Sequence, residues 1–250
     1  MKVLGPSMFV AIFGSIRPHP WIASETSPED AYSLFASRAE LMGWSREDGT
    51  GLWSMNDATL DLPVSSPRAR IAWFQVGVDE RTVDGASFPF HPLLTCAGDV
   101  LDRVGDVVVE AAQFLVPLQI GGTPPTISSV PNWFNMCNPA TSVGVRVTVD
   151  SGEDPVLPQV AADVAALAST MAREPFRVAP TAIGTTPVQL LPEATDGFWL
   201  GEGRHPVTFD AVAPEWSLDS IAWTANILAE SCRRTGMKTS ILISIDRATT

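Results

Sequence analysis

Each of the three histidines in this chain precedes a proline: His19 in SIRPHPW, His91 in FPFHPLL and His205 in GEGRHPV. Imidazole changes charge near neutral pH, so two such rings beside arginine and carboxylates would suit general acid–base catalysis. A residue ahead of proline is pushed away from the helical region, which places each ring on an extended or turn segment. Arg17, Trp21, Asp79, Glu80, Arg81 and Asp84 stand near the first two in sequence. His19, His91, Arg17 and Asp84 are the catalytic candidates of this pattern. No close spacing of His, Cys and carboxylates marks a metal site, and none is expected. The plainer role for the same residues is as solvated loop and cap side chains.

A second group of acids comprises Asp150, Glu153 and Asp154 in VDSGEDP, and Glu215 beside Trp216. A carboxylate held against an indole can keep its proton and act as an acid, although such residues more often cap the next helix. Eight tryptophans against one tyrosine make the aromatic content unusual, so their positions matter. Trp73 and Trp223 fall in a strand-like and a helix-like run and belong to the core. Trp21, Trp133 and Trp216 fall in connections, where they would line an aromatic-binding cavity or anchor a protein interface. With Asn135, they are the expected substrate-binding residues. The stretch PNWFNMCNPATS (131–142) has no hydrophobic period. It reads as a connection pinned by Trp133 and Phe134, or as a lid whose Trp133, Asn135 and Asn138 face a ligand. Cys137 has no basic neighbour in sequence to activate it as a nucleophile. Signatures of P-loops, zinc proteases, α/β-hydrolases and dinucleotide-binding folds are missing.

Four segments with helical periodicity would have to position these residues. SPEDAYSLFASRAELMGW opens with Ser27 as N-cap and Pro28 at the first helical position. HPLLTCAGDVLDRVGD, LPQVAADVAALASTMARE and SLDSIAWTANILAESCRRTG each carry an apolar stripe. In the last, Leu218, Ile221, Ala222, Ala225, Leu228 and Cys232 share a face, and Gly236 follows as a stop. Strand-like runs lie at 8–16, 52–62, 70–78, 107–120, 143–149, 176–183, 206–212 and 239–245. Pro180 makes the run at 176–183 an edge strand.

In order, these elements read β-α-β-β-α-β twice, so each half has the split βαβ, or ferredoxin-like, pattern. Residues 1–120 form the first half, 121–142 the connection and 143–250 the second half. The fold class expected is α+β, with two sheets packed face to face and the helices outside. With the first and third strands taken as parallel neighbours, His19 and His91 share one rim of the first half, and His205 lies at the opposite end.

This order resembles the tandem form of the dimeric α+β-barrel superfamily. The resemblance is one of topology over most of the chain and brings no motif. It implies an enzyme without a tightly bound organic cofactor, acting between the sheets on an aromatic or polyketide-like substrate. Cyclase, isomerase and cofactor-independent monooxygenase chemistry are the reaction types implied. Because tandem ferredoxin-like proteins include haem enzymes, His205 as a haem ligand is the alternative cofactor reading. The rival function is a non-catalytic immunity-type or scaffold protein, with an acidic surface meeting a basic partner and loop tryptophans as anchors.

Composition narrows the partners. Sixteen Lys and Arg against 28 Asp and Glu give a net charge of −12, which argues against nucleic acid or an anionic membrane as the main partner. Three widely spaced cysteines form no disulfide framework, and the cytoplasm is the expected setting. Gly5 and Pro6 interrupt the apolar start, so a signal peptide is not expected.

Overall fold

Alternation of apolar residues gives the first strand, β1 (Ser7–Pro18), two distinct faces. Met8, Val10 and Ile12 enter the main core, whereas Phe9, Ala11 and Phe13 belong to a smaller cluster on the other side. The computed structural model describes residues 6–22, 30–45, 51–62, 68–78, 87–120, 132–179, 187–194 and 200–248. After β1 come α1 (Ala31–Leu41), β2 (Ser54–Leu60), β3 (Ala69–Gly77), α2 (Phe90–Val104) and β4 (Gly105–Pro117). Two short 3-10 turns, Asn132–Met136 and Pro139–Thr141, lead to β5 (Val143–Asp150). Next are α3 (Val156–Met171), β6 (Arg177–Val178), β7 (Pro206–Ala213), α4 (Leu218–Arg234) and β8 (Ser240–Arg247).

The eight strands form one antiparallel sheet in the order β2-β3-β1-β4-β8-β5-β7-β6. This differs from the expected pair of face-to-face sheets. Strands β4 and β8 pair directly, from Ala111 opposite Asp246 to Pro117 opposite Ser240, and so join the halves edge to edge. The ladder satisfies backbone groups that two separate sheets would leave as open edges. β6 is the outermost strand, in keeping with the edge position expected for its run.

All four helices contribute to the core on one face of the sheet. Helix α4 touches β4 and β8 and is flanked by α2 and α3. It therefore buries far more than a stripe: Thr224, Asn226, Glu230 and Arg233 are buried as well as Ile221, Ala225 and Leu228. Glu230 Oε1 accepts from Arg234 Nε at 2.9 Å, and Arg233 Nε lies 3.5 Å from Glu230 Oε2. Gly98 lets α2 come close, because a Cβ there would lie 2.6 Å from Leu218 Cδ1. Helix α1 is capped by Asp30, whose Oδ1 accepts from Ser33 N at 2.8 Å. The expected caps Ser27 and Pro28 lie outside the described residues.

The opposite, open face is covered in part by residues 187–194, a strap of the β6–β7 connection. Its Leu190 and Ala194 join Leu200, Phe9, Ala11, Phe13, Leu115 and Leu242 in the second cluster. The strap takes the place that the expected second sheet would have held. On the same side, β1 makes a bulge at Phe13/Gly14 against β4. Gly14 has φ +153°, and a Cβ there would come within 2.0 Å of Val108 O, so only glycine fits the bend.

Candidate functional site

The sequence-derived site in the first half does not assemble. Strands β1 and β3 are antiparallel, not parallel, so their C-terminal ends lie at opposite edges of the sheet. His19 follows β1 and rests against the C-terminal end of α2, its Nε2 3.0 Å from Asp102 O. A carbonyl only accepts, so the neutral ring carries its proton on Nε2 there. His91 sits in the first turn of α2, where a following proline is tolerated. Asp102 lies eleven positions after His91 in the helix, about 16 Å along the axis. Arg17 pairs with Asp106 at 2.5 Å on the fully exposed surface. Asp84 lies outside the described residues, as do Asp79, Glu80 and Arg81.

His91 Nδ1 is 3.9 Å from Asp219 Oδ1, and its ring centroid is 5.8 Å from that of Trp223. Burial pushes its pKa below the ordinary histidine value, and Asp219 opposes this only in part. The folded ring therefore resists a proton that the unfolded chain accepts below about pH 6.5. Its contribution to stability is complete above that pH and is lost as the pH falls below it. Urea midpoints measured at pH 7.5 and 5.5 are expected to fall more in the wild type than in His91→Gln. Equal falls would remove His91 as a source of acid sensitivity.

The tryptophans divide. Trp21 is 68% exposed and stacks on His19 with centroids 4.3 Å apart. Trp133 is 67% exposed, and Asn135 is exposed beside it. In PNWFNMCNPATS it is Phe134 that forms the pin, packing edge-on against Phe176 at 4.7 Å and near Trp223. Asn138 caps the second 3-10 turn through Ala140 N. Trp216 is half-buried and donates Nε1–H to Val109 O at 2.8 Å. Burial drives the Cys96 and Cys232 thiols up to about 12, which leaves them protonated at neutral pH. Cys137 is also raised, by burial first and then by Glu215.

A different set of residues converges on the open face. Gln113 lies directly opposite Ser244, Ser244 opposite Thr148, and Thr148 opposite Thr208. The four make one row of polar side chains across β4, β8, β5 and β7, all of them buried. Gln113 Nε2 donates to Ser244 Oγ at 2.8 Å, and Gln113 Oε1 accepts from Ala194 N at 2.6 Å. Thr148 Oγ1 accepts from Val188 N at 2.8 Å and is 3.1 Å from Thr208 Oγ1. The row thus holds both ends of the strap.

Between strap and sheet lies a half-open cleft of about 330 Å3, with Gln113, Thr148 and Ser244 in its lining. Leu190, Leu242 and Val188 supply apolar walls. One end is ionic. Asp150 Oδ1 accepts from Gly152 N at 2.8 Å and His205 N at 3.1 Å, and its Oδ2 is 3.3 Å from Arg204 Nη1. Arg204 also pairs with Glu193, whose backbone O accepts from Arg70 Nη1 at 2.9 Å. His205 Nδ1 is 2.7 Å from Gly152 O and so carries the proton when neutral. Larger hollows exist, such as the groove of about 420 Å3 between α1 and α2, but its ions Arg38 and Asp99 pair with each other at the surface.

No match is found. Protein-family models, curated proteins and solved structures all lack one for this chain. What the site can do follows from its own chemistry.

The cleft combines apolar walls with a few placed hydrogen-bonding groups, the usual make-up of a small-molecule site. Of the acids expected on the second half's rim, Asp150 is in the cleft. Glu153 accepts from Glu202 N, and Asp154 accepts from Val156 N and Thr239 Oγ1. These two serve as caps and loop ties. Gln113, Thr148, Ser244 and Arg204 were missed from sequence. For Gln113 and Ser244 the signal is a lone polar residue inside an otherwise apolar run, AAQFLV and ILISI. Among the described residues, no three His, Cys, Asp or Glu side chains group as a metal site, and no helix is long and apolar enough to cross a membrane.

Proposed function

We propose that the protein binds a small, partly apolar molecule in the open-face cleft beneath residues 187–194. The observation that carries this reading is the buried row Gln113–Ser244–Thr148, set among apolar walls in a cleft of about 330 Å3. Gln113 and Thr148 tie down the strap, but the Ser244 side chain makes no hydrogen bond to the strap's described residues, and burying a polar group is costly unless it is fully hydrogen-bonded. Strand order supports reading the chain as two ferredoxin-like halves joined at their edges. Within the halves it is β2-β3-β1-β4 and β6-β7-β5-β8, each the order of a split βαβ. Membership of the dimeric α+β-barrel type, proposed on that basis, brings an aromatic or polyketide-like substrate. Cyclisation, isomerisation or cofactor-independent oxygenation would then proceed in the cleft on side chains alone.

A second reading has its own observation. Trp21, Trp133 and Met136 stand outward, the last 86% exposed, as anchors in a protein interface would. Val188→Trp separates the two, because it fills the cleft from the strap side. Saturation-transfer NMR against a panel of bicyclic aromatic compounds is expected to show binding by the wild type and by Trp133→Ala, and none by Val188→Trp. Binding that survives Val188→Trp and disappears in Trp133→Ala would overturn the cleft reading.

A further inference from the structure

The hydrogen-bond inventory of the cleft floor defines what the ligand must offer. Ala194 N–H can only donate, so the atom of Gln113 that faces it at 2.6 Å is Oε1. The opposite amide orientation would set NH2 against N–H. Nε2 therefore faces Ser244, and Ser244 Oγ is the acceptor of that 2.8 Å bond. A hydroxyl has one hydrogen and an amide nitrogen has two. Two hydrogens remain, the Ser244 hydroxyl hydrogen and the second hydrogen on Gln113 Nε2. Among the described residues neither has an acceptor, although Ser244 is 4% exposed, Gln113 is 2% exposed and both line the cleft. A buried donor without an acceptor is costly, so the site is built for something that supplies one.

The two donors cannot share a single oxygen. The hydrogens of an amide nitrogen diverge by about 120°, and linear bonds are strongly preferred. With the donor atoms 2.8 Å apart, acceptors on the same side fall roughly 5 Å from each other. The geometry points to a ligand carrying two carbonyl oxygens roughly 5 Å apart that face the same side, an aryl diketone with its carbonyls meta to each other, held by Ser244 O–H and the second N–H of Gln113. This rests on the cleft being the binding site and names the class of molecule that it takes. The ring system lies against Val188, Leu190 and Leu242.

The test uses two probes of nearly equal shape, 1,3-diacetylbenzene and 1,3-diisopropenylbenzene, by equilibrium dialysis. The wild type is expected to hold the diketone at least about tenfold more tightly than the hydrocarbon, the scale of two modest hydrogen bonds. Ser244→Ala should reduce that ratio to about threefold. In infrared spectra the carbonyl band of the bound diketone should move to lower frequency in the wild type, a readout that needs no variant. Equal binding of both probes by the wild type, with an unshifted band, overturns the acceptor assignment while the cleft reading stands. If neither probe binds, the cleft reading falls and the acceptor assignment falls with it.

Discussion

Leu228→Asp is expected to abolish cooperative folding. Leu228 is fully buried in the middle of α4, within the main core. The helix touches the seam strands β4 and β8 and is flanked by α2 and α3. A charge there has no route to water, because the helix is buried around nearly its whole circumference. Loss of the leucine alone would cost about 2–5 kcal/mol. A carboxylate without a partner adds its desolvation, or takes up a proton at a similar cost. The combined loss is comparable with the whole stability of an ordinary domain, about 5–15 kcal/mol. Leu228→Met, which keeps the volume, should cost less than about 1.5 kcal/mol. Urea unfolding followed by far-UV circular dichroism distinguishes them. A near-native midpoint for the aspartate variant would mean that α4 does not lie at the centre of the core.

The stripe containing Leu228 was legible because a 3.6-residue period is local information, carried within one segment. The same is true of the strands, whose alternation marks Val145, Val147 and Val149 as one face. Burial of Glu230 and Arg233 was not legible, since it depends on α2 and α3 closing over the polar side of α4. The rim site built on His19 and His91 failed on strand direction. In a β-α-β-β order the first and third strands run antiparallel, which sends the two histidines to opposite edges. The face-to-face sheets failed because pairing of β4 with β8 is a contact between distant segments that no local period reports. The strap was hidden for another reason. PVQLLPEA has neither a strand nor a helix period, so nothing in it says which surface it covers. The polar row is the clearest case: Gln113 and Ser244 are 131 positions apart, and only the register of two strands puts them side by side.

That register makes Gln113→Leu the most informative change at the site. Leucine fits the volume and suits the apolar neighbours Ala11, Leu115 and Leu242, so steric damage is small. What it removes is the amide that joins the strap to the sheet. Ala194 N–H loses its acceptor, and Ser244 Oγ loses its donor, both in buried surroundings. Each orphaned group costs about 1–3 kcal/mol, so the variant should lose about 2–4 kcal/mol. The loss is expected to be felt first in the strap, which the remaining tie from Val188 N to Thr148 holds at its other end. Hydrogen exchange should accelerate at residues 190–194 while the amides of β4 and β8 stay protected. Adding Ser244→Ala to Gln113→Leu removes one of the orphans, so the double variant should be more stable than the sum of the two single losses predicts. Simple additivity, with exchange in the strap unchanged, would mean that Gln113 is a packed core residue and that something else holds residues 187–194 over the cleft.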